Sequence, residues 1–221
     1  YIAKWCINYA LENLEIVKNE YASDYSRIIG KVDITNEELK KWRAVADNMY
    51  FPYSEKNDIY LQQDGFLDKE LITVSELDSS QRPINQKWSW DRILRSPYIK
   101  QADVLQGFYL FEDHFTTEEL VRHFDFYEPL TVHESSLSPC VHSIQSAKLD
   151  RIEQAYTFYL RTSRLDLDDY NHEVEEGLHI TSMAGTWMSI VEGFGGMRIH
   201  NNRLTFAPKI PKRWKNYSFK V

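Results

Sequence analysis

The sequence predicts a mainly α-helical chain with a short β-rich tail, and three observations carry that prediction. Apolar residues recur at helical spacing through most of the stretch from Ile2 to Phe194. Helical patterns abut across short junctions, the tightest being Leu149-Asp150, which implies antiparallel neighbours. After Gly195-Gly196 the period switches to alternation, with Met197-Arg198-Ile199 and Leu204-Thr205-Phe206 on either side of an Asn201-Asn202 turn. Repeated helix pairs without a strand–helix–strand rhythm exclude Rossmann and TIM-type architectures.

The elements follow in order. Ile2 to Tyr21 places Trp5, Tyr9, Leu11, Leu14 and Val17 close to helical spacing. Gly30 and Asp33 read as a loop. Thr35 with Glu38 forms a capping box that opens a second helix, which Pro52 ends after Tyr50. Tyr53 to Ser96 has mixed signals and reads as irregular, with Trp88 and Trp90 near its end as sugar-stacking or core aromatics, core being the expected role of each. Val104 to Phe111 is an apolar helix entered through Lys100-Gln101-Ala102-Asp103. Thr116 or Thr117 caps a helix over Glu118 to Phe126, closed by Pro129. Val141–Lys148 and Arg151–Arg164 form a helix pair, and Ile180–Phe194 a last, apolar helix. Tyr217 to Val221 reads as a closing strand.

The totals narrow the function. With 221 residues, 43% hydrophobic and 14% aromatic, the chain can pack a sizeable core. A formal charge of −7 argues against a nucleic-acid or anionic-membrane partner. No apolar run approaches membrane-spanning length and no signal peptide is visible. Cys6 and Cys140, both in apolar helical settings, read as two free, packed thiols in a reducing compartment, the cytoplasm. The chain opens at Tyr1 inside a helical pattern and stops at Val221 inside a strand-like one. It is therefore read as a piece of a longer protein.

Two polar segments stand out for chemistry. Thr131 to His142 and His179 to Trp187 each deliver His, Ser or Thr to the start of a helix. Ser136 and Ser138 are possible N-caps, Pro139 suits a first helical position, and Gly185 permits close backbone approach. A helix start carries unpaired N–H groups and the positive end of the dipole, so two of them together would cradle an anion. Simple capping accounts for the same Ser and Thr. Asp166, Asp168, Asp169, Glu173, Glu175 and Glu176 have no calcium-loop spacing and read as a solvated acidic loop. His133, His142 and His179 show no metal-ligand spacing, so no metal is expected.

Three motifs in order, Lys100-Gln101-Ala102-Asp103-Val104, His133-Glu134-Ser135-Ser136-Leu137-Ser138-Pro139 and Gly177-Leu178-His179-Ile180-Thr181-Ser182-Met183-Ala184-Gly185-Thr186-Trp187, carry a resemblance. They resemble the bacterial disaccharide phosphorylases of glycoside hydrolase family 65, over nearly the whole chain. The resemblance implies that residues 1–196 form the second half of an (α/α)6 barrel (toroid). Residues 197–221 would then lead into a small C-terminal β-sandwich. It implies cleavage of an α-glucosidic bond by inorganic phosphate with inversion, giving β-glucose 1-phosphate and a free sugar. The form His133-Glu134-Ser135-Ser136 points toward maltose, with trehalose and kojibiose as alternatives, and a non-catalytic sugar-binding or scaffold module as the rival from another class.

Carried over residue by residue, the resemblance implies phosphate binding by Ser135, Ser136, His179, Ala184, Gly185 and Thr186, and substrate binding by Lys100, Gln101, His133 and Glu134. It implies no cofactor, phosphate being a co-substrate; the partners are disaccharide and phosphate, and the parent protein is a homodimer. The family's general-acid Glu lies in a segment before the part matching Tyr1, so no catalytic residue is assigned here. The isolated chain is expected to be inactive and to self-associate through an exposed inner wall of the half-barrel.

Overall fold

A computed structural model describes residues 1–220. The chain divides into two compact units, Tyr1–Tyr53 and Ser54–Val221.

The first unit is a helical cluster of α1 (Ile2–Glu20), α2 (Ala22–Val32) and α3 (Asn36–Asp47). Thr35 opens α3 as its sequence requires: the Thr35 hydroxyl accepts from the Glu38 N–H at 3.2 Å. The loop expected around Gly30 is instead the last turn of α2, because Gly30 is tolerated within the helix and Asp33 ends it in the left-handed region, φ 52°. Cys6 is exposed on α1, whereas Cys140 of the second unit is buried; both thiols are free.

In the second unit, residues 54–103 pass through short 3-10 turns and two brief helices, α4 (Ile84–Lys87) and α5 (Trp90–Arg95). Trp90 is 70% exposed rather than in the core, since it opens a six-residue helix whose residues are only partly covered. Trp88 is partly buried, donates through Nε1 to Gln81 Oε1 at 3.0 Å, and stacks under Arg92 at 3.6 Å. Then come α6 (Val104–Leu110), α7 (Thr117–Tyr127), α8 (Ser138–Lys148), α9 (Ile152–Ser163), α10 (Leu165–Asp168) and α11 (Ile180–Met188). Thr116 and Glu119 form the reciprocal capping box that starts α7.

The core lies around α8, buried from Ser138 to Ala147 because α9, α6 and α11 all pack on it. Phe66, Leu105, Phe124, Tyr127, Val141 and Phe158 fill one apolar cluster. A second gathers Ala147, Ala155, Tyr159 and Phe194 around Trp214. Two polar groups inside bond across the core, Ser143 donating to the Ala155 carbonyl at 2.9 Å and Gln145 Nε2 to the Leu105 carbonyl at 2.7 Å, whereas Gln145 Oε1 and Ser146 Oγ are buried without a partner among the described residues. The face of α11 carrying Ile180, Met183 and Trp187 is exposed.

Beyond Met188 the helix widens into a π-helical turn, Ser189–Phe194, closed by the Gly195 N–H on the Ile190 carbonyl at 2.7 Å. Gly196, at φ 57°, then reverses the chain where a side chain would meet the Ala207 backbone. The antiparallel hairpin Arg198–His200 with Arg203–Thr205 follows. Asn201 and Asn202 both take positive φ, 48° and 59°, as a tight two-residue turn needs. The expected closing strand does not form over residues 217–220, which side with Trp214 and Phe206 through ring contacts; Val221 lies outside the described residues.

Candidate functional site

A clasp between two extended segments begins the site. The Ile99 N–H donates to the Leu130 carbonyl at 2.9 Å and the Val132 N–H to the Ile99 carbonyl at 2.8 Å. This isolated parallel bridge, Ile99 with Thr131, sets the Lys100-Gln101 turn beside the loop 133–136. Ser135 Oγ then donates to Gln101 Oε1 at 2.9 Å and accepts from the Leu137 N–H at 3.2 Å. Ser136 Oγ lies 2.7 Å from Thr181 Oγ1 on the first turn of α11. Two hydroxyl contacts thus bring the three motifs to one place. Lys100 is exposed on the Gln101 turn. Asp103, one turn on, accepts from Gln62 Nε2 at 2.6 Å, and burial raises its carboxyl above the usual range.

His133 and Glu134 shape the loop from beneath. His133 takes φ 55°, and its Nδ1 lies 2.9 Å from Ser138 Oγ at the start of α8. Its ring packs against His142 and Phe158, with centroids 4.4 and 4.8 Å away. Burial, with His142, Arg161 and Arg82 nearby, holds its pKa well below that of an ordinary His. Glu134, 2% exposed, accepts from Arg82 Nε at 3.0 Å and from the Ile84 N–H at 2.7 Å. Its charge is balanced inside the protein, and Arg82 reaches on to the Val132 carbonyl at 2.6 Å. Arg161 Nη2 donates to the His133 carbonyl at 3.1 Å. The motif pointed to neither Arg82 nor Arg161: both lie in other segments, and only the fold brings them to the loop.

His179 is the N-cap residue of α11. Asp166 grips it twice: Oδ2 accepts the His179 N–H at 3.0 Å and Oδ1 accepts Nδ1–H at 2.6 Å. The bond from His179 keeps the Asp166 carboxyl below the usual carboxylate range. Glu173 Oε2 stands 3.8 Å from His179 Nε2. The acidic run is therefore partly scaffold and not simply a solvated loop, for Asp169 Oδ1 also accepts the Glu173 and Val174 N–H groups. Among the described residues no group of three His, Cys, Asp or Glu is placed to hold a metal.

The second turn of α11 is divided between packing and exposure. Gly185 is buried, and a Cβ there would come within 2.8 Å of Cys140 Cβ, so the missing side chain lets α11 approach α8. Thr186 Oγ1 donates back to the Ser182 carbonyl at 2.9 Å, and Ser182 Oγ donates to the Thr162 carbonyl. Ala184 is exposed. Neither Leu137, which precedes α8, nor His179 caps its helix with a side-chain bond. The amides at these starts are largely engaged within the protein, Leu137 N–H on Ser135 Oγ, Ser138 N–H on the Ser135 carbonyl, Ile180 N–H on the Leu178 carbonyl and Ser182 N–H on the His179 carbonyl, so the Ser136–Thr181 hydroxyl pair is what the two starts offer an outside acceptor.

Known proteins share this arrangement of segments. Residues 1–188 match the glycosyl hydrolase family 65 central catalytic domain, and residues 197–221 match the C-terminal domain of the same family. The chain is 54% identical over 220 residues to maltose phosphorylase of Bacillus subtilis, covering 100% of this chain and 28% of that protein. It is 43% identical over 221 residues to the α,α-trehalose phosphorylase of Thermoanaerobacter brockii, covering 100% of this chain and 29% of that one. A solved structure described as a putative kojibiose phosphorylase from the human microbiome superposes with TM-score 0.85 at 37% identity, over 96% of this chain and 31% of the other. The chain thus spans less than a third of the length of these relatives. Its mainly helical body and C-terminal hairpin fit part of an (α/α)6 barrel with the opening of a C-terminal domain. The chain belongs to glycosyl hydrolase family 65.

Proposed function

We propose that this chain supplies the phosphate-binding wall, and part of the glucose-binding wall, of an inverting disaccharide phosphorylase acting on maltose. The observation that carries the reading is the meeting of the three motifs through Ser135–Gln101 and Ser136–Thr181. In such a reaction phosphate is the nucleophile, so the protein needs no base to activate water. It must hold an anion against the sugar and let a carboxylic acid protonate the leaving oxygen. Hydroxyls, an imidazole and helix-start N–H groups hold an anion without blocking its attack. In this reading Ser135, Ser136 and His179 bind phosphate directly, with the Ala184-Gly185-Thr186 turn behind them. Lys100 and Gln101 contact glucose hydroxyls, and His133 and Glu134 shape the wall between the two.

The acid lies outside this chain, in a longer protein whose barrel this chain completes, with the C-terminal β domain beginning near residue 197. The isolated chain is accordingly inactive. The two free thiols suit a reducing compartment such as the cytoplasm. The identity of 54% to a maltose phosphorylase favours maltose over trehalose and kojibiose.

The test is a phosphorolysis assay on the full-length protein carrying this chain, with maltose, trehalose and kojibiose in turn. Formation of β-glucose 1-phosphate from maltose, with phosphate KM raised in Ser135→Ala/Ser136→Ala and in His179→Ala, is the expected result. Turnover of another disaccharide alone would replace the substrate. Turnover of none, or variants with unchanged phosphate KM, would overturn the reading.

A further inference from the structure

We infer that Asp166 is a positioning residue of the phosphate site: its two-point grip on the backbone N–H and ring Nδ1 of His179 dictates which ring nitrogen meets the anion. The inference rests on the phosphate reading above.

Both Asp166 oxygens are engaged by one residue, at 3.0 Å to the His179 N–H and 2.6 Å to Nδ1. A lone pairing to the ring would let the imidazole pivot; the second bond ties the same carboxylate to the first backbone amide before α11. An ionised carboxylate only accepts, so Nδ1 must carry a hydrogen in either charge state of the ring. Nε2 is left as the nitrogen whose hydrogen can be gained or lost, and it points the other way. Glu173 Oε2 stands 3.8 Å from it, a carboxylate with which an arriving anion has to compete. A ring that donates from Nδ1 to Asp166 meets phosphate through Nε2, which accepts a phosphate O–H while it carries no hydrogen and donates to an oxyanion when it carries one.

Asp166 lies within α10, between the Arg164–Asp168 pair that spans the helix and the turn beyond it, where Asp169 accepts from the Glu173 and Val174 N–H groups. His179 is thus presented by a braced loop on one side and by the α11 start on the other. The next turn of α11 is anchored by the Ser182 hydroxyl on the Thr162 carbonyl of α9.

The conservative variant Asp166→Asn separates this role from a merely structural one. Its amide oxygen can still accept the His179 N–H, while its N–H groups face Nδ1 and turn that atom into an acceptor. The ring hydrogen then moves to Nε2. In the full-length protein we expect phosphate KM to shift about tenfold, as Nε2 exchanges its hydrogen-bonding role toward phosphate and the ring loses its charge-assisted anchor, with kcat at saturating phosphate changed less than about threefold. The 15N resonances of His179 should move from the Nδ1–H pattern to the Nε2–H pattern, with the melting temperature close to wild type. Should His179→Ala raise phosphate KM while Asp166→Asn leaves both the KM and the 15N pattern unchanged, this inference fails and the phosphate reading survives. Should neither variant affect phosphate KM, the reading itself fails. If Asp166→Asn does not fold, Asp166→Glu replaces it: partial retention of phosphate affinity with the Nδ1–H pattern supports the inference, and full loss with that pattern intact overturns it.

Discussion

Ser136 Oγ and Thr181 Oγ1 lie 2.7 Å apart and join two helix starts that are remote in sequence. One hydroxyl donates and the other keeps its hydrogen for an outside acceptor, so the pair can turn toward an arriving oxyanion. Removing either hydroxyl leaves its partner able to bind alone. Ser136→Ala and Thr181→Ala are each expected to raise phosphate KM roughly fivefold to tenfold in the full-length protein. Their double variant should fall short of the product of the two effects, because the hydroxyls share a contact. Steady-state kinetics with phosphate varied reads this directly; strictly multiplicative effects would mean that the pair does not act together.

Glu134 has a structural task that can be tested apart from any ligand. Glu134→Ala leaves the Arg82 guanidinium and the Ile84 N–H without their acceptor, at a cost of about 3 kcal/mol. Glu134→Gln retains an acceptor for one of the two and should cost less. Urea denaturation of the full-length variants, followed through the transition that includes this region, tests the order. Equal loss in both variants would point to charge rather than hydrogen bonding as the source.

Gly185→Ala should destabilise by about 1–3 kcal/mol, the usual cost of forcing a methyl group into a filled interface. The closest clash is with the Cβ of Cys140, not only its sulfur. Cys140→Ala therefore should not rescue Gly185→Ala, whereas Cys140→Gly should recover part of the loss. Thermal melting of Gly185→Ala, alone and combined with each Cys140 substitution, reads the order, and rescue by Cys140→Ala would show that the sulfur alone is the obstacle.

The buried imidazoles make stability depend on pH. His142 is enclosed in α8, donates through Nδ1 to the Ser138 carbonyl at 3.0 Å, and burial lowers its pKa to about 4. An unfolded His titrates near 6.5, so between about 4 and 6.5 the unfolded chain binds a proton that the folded chain refuses. Stability is full above that window and falls as pH drops through it, by about 3 kcal/mol in total for this one group. His133 shifts in the same direction for the same reason. Denaturation midpoints measured from pH 7 to pH 4.5 should fall, and His142→Gln should flatten the slope even where it lowers stability overall. An unchanged slope would show that His142 does not supply it.

Much of this could be read from residue order. The one-way cap at Thr35 (without the reciprocal Glu38 bond), the capping box at Thr116, the Leu149-Asp150 junction, the asparagine turn and the three polar motifs are local patterns. Their physics (caps, periodicity, positive φ) acts within a few residues. The loop expected at Gly30 became helix because one glycine costs a helix only about 1 kcal/mol, which neighbouring turns outweigh. The type of Trp90 points to the core, yet exposure is a property of neighbours, and Trp90 lies at the surface.

What the sequence by itself determined is the helical body with its terminal hairpin, and which polar residues stand at the starts of α8 and α11. What only the tertiary structure decided is how those residues are divided between labour on the protein and labour on a ligand. Glu134 turns inward because Arg82 and Ile84, some fifty residues earlier, supply its partners. Gly185 is spent on the approach to Cys140, and Asp166 is drawn out of an acidic run to hold His179. Hydrogen bonds and ion pairs act over about 3 Å, and contacts that short between distant segments are set by packing, which no local pattern encodes.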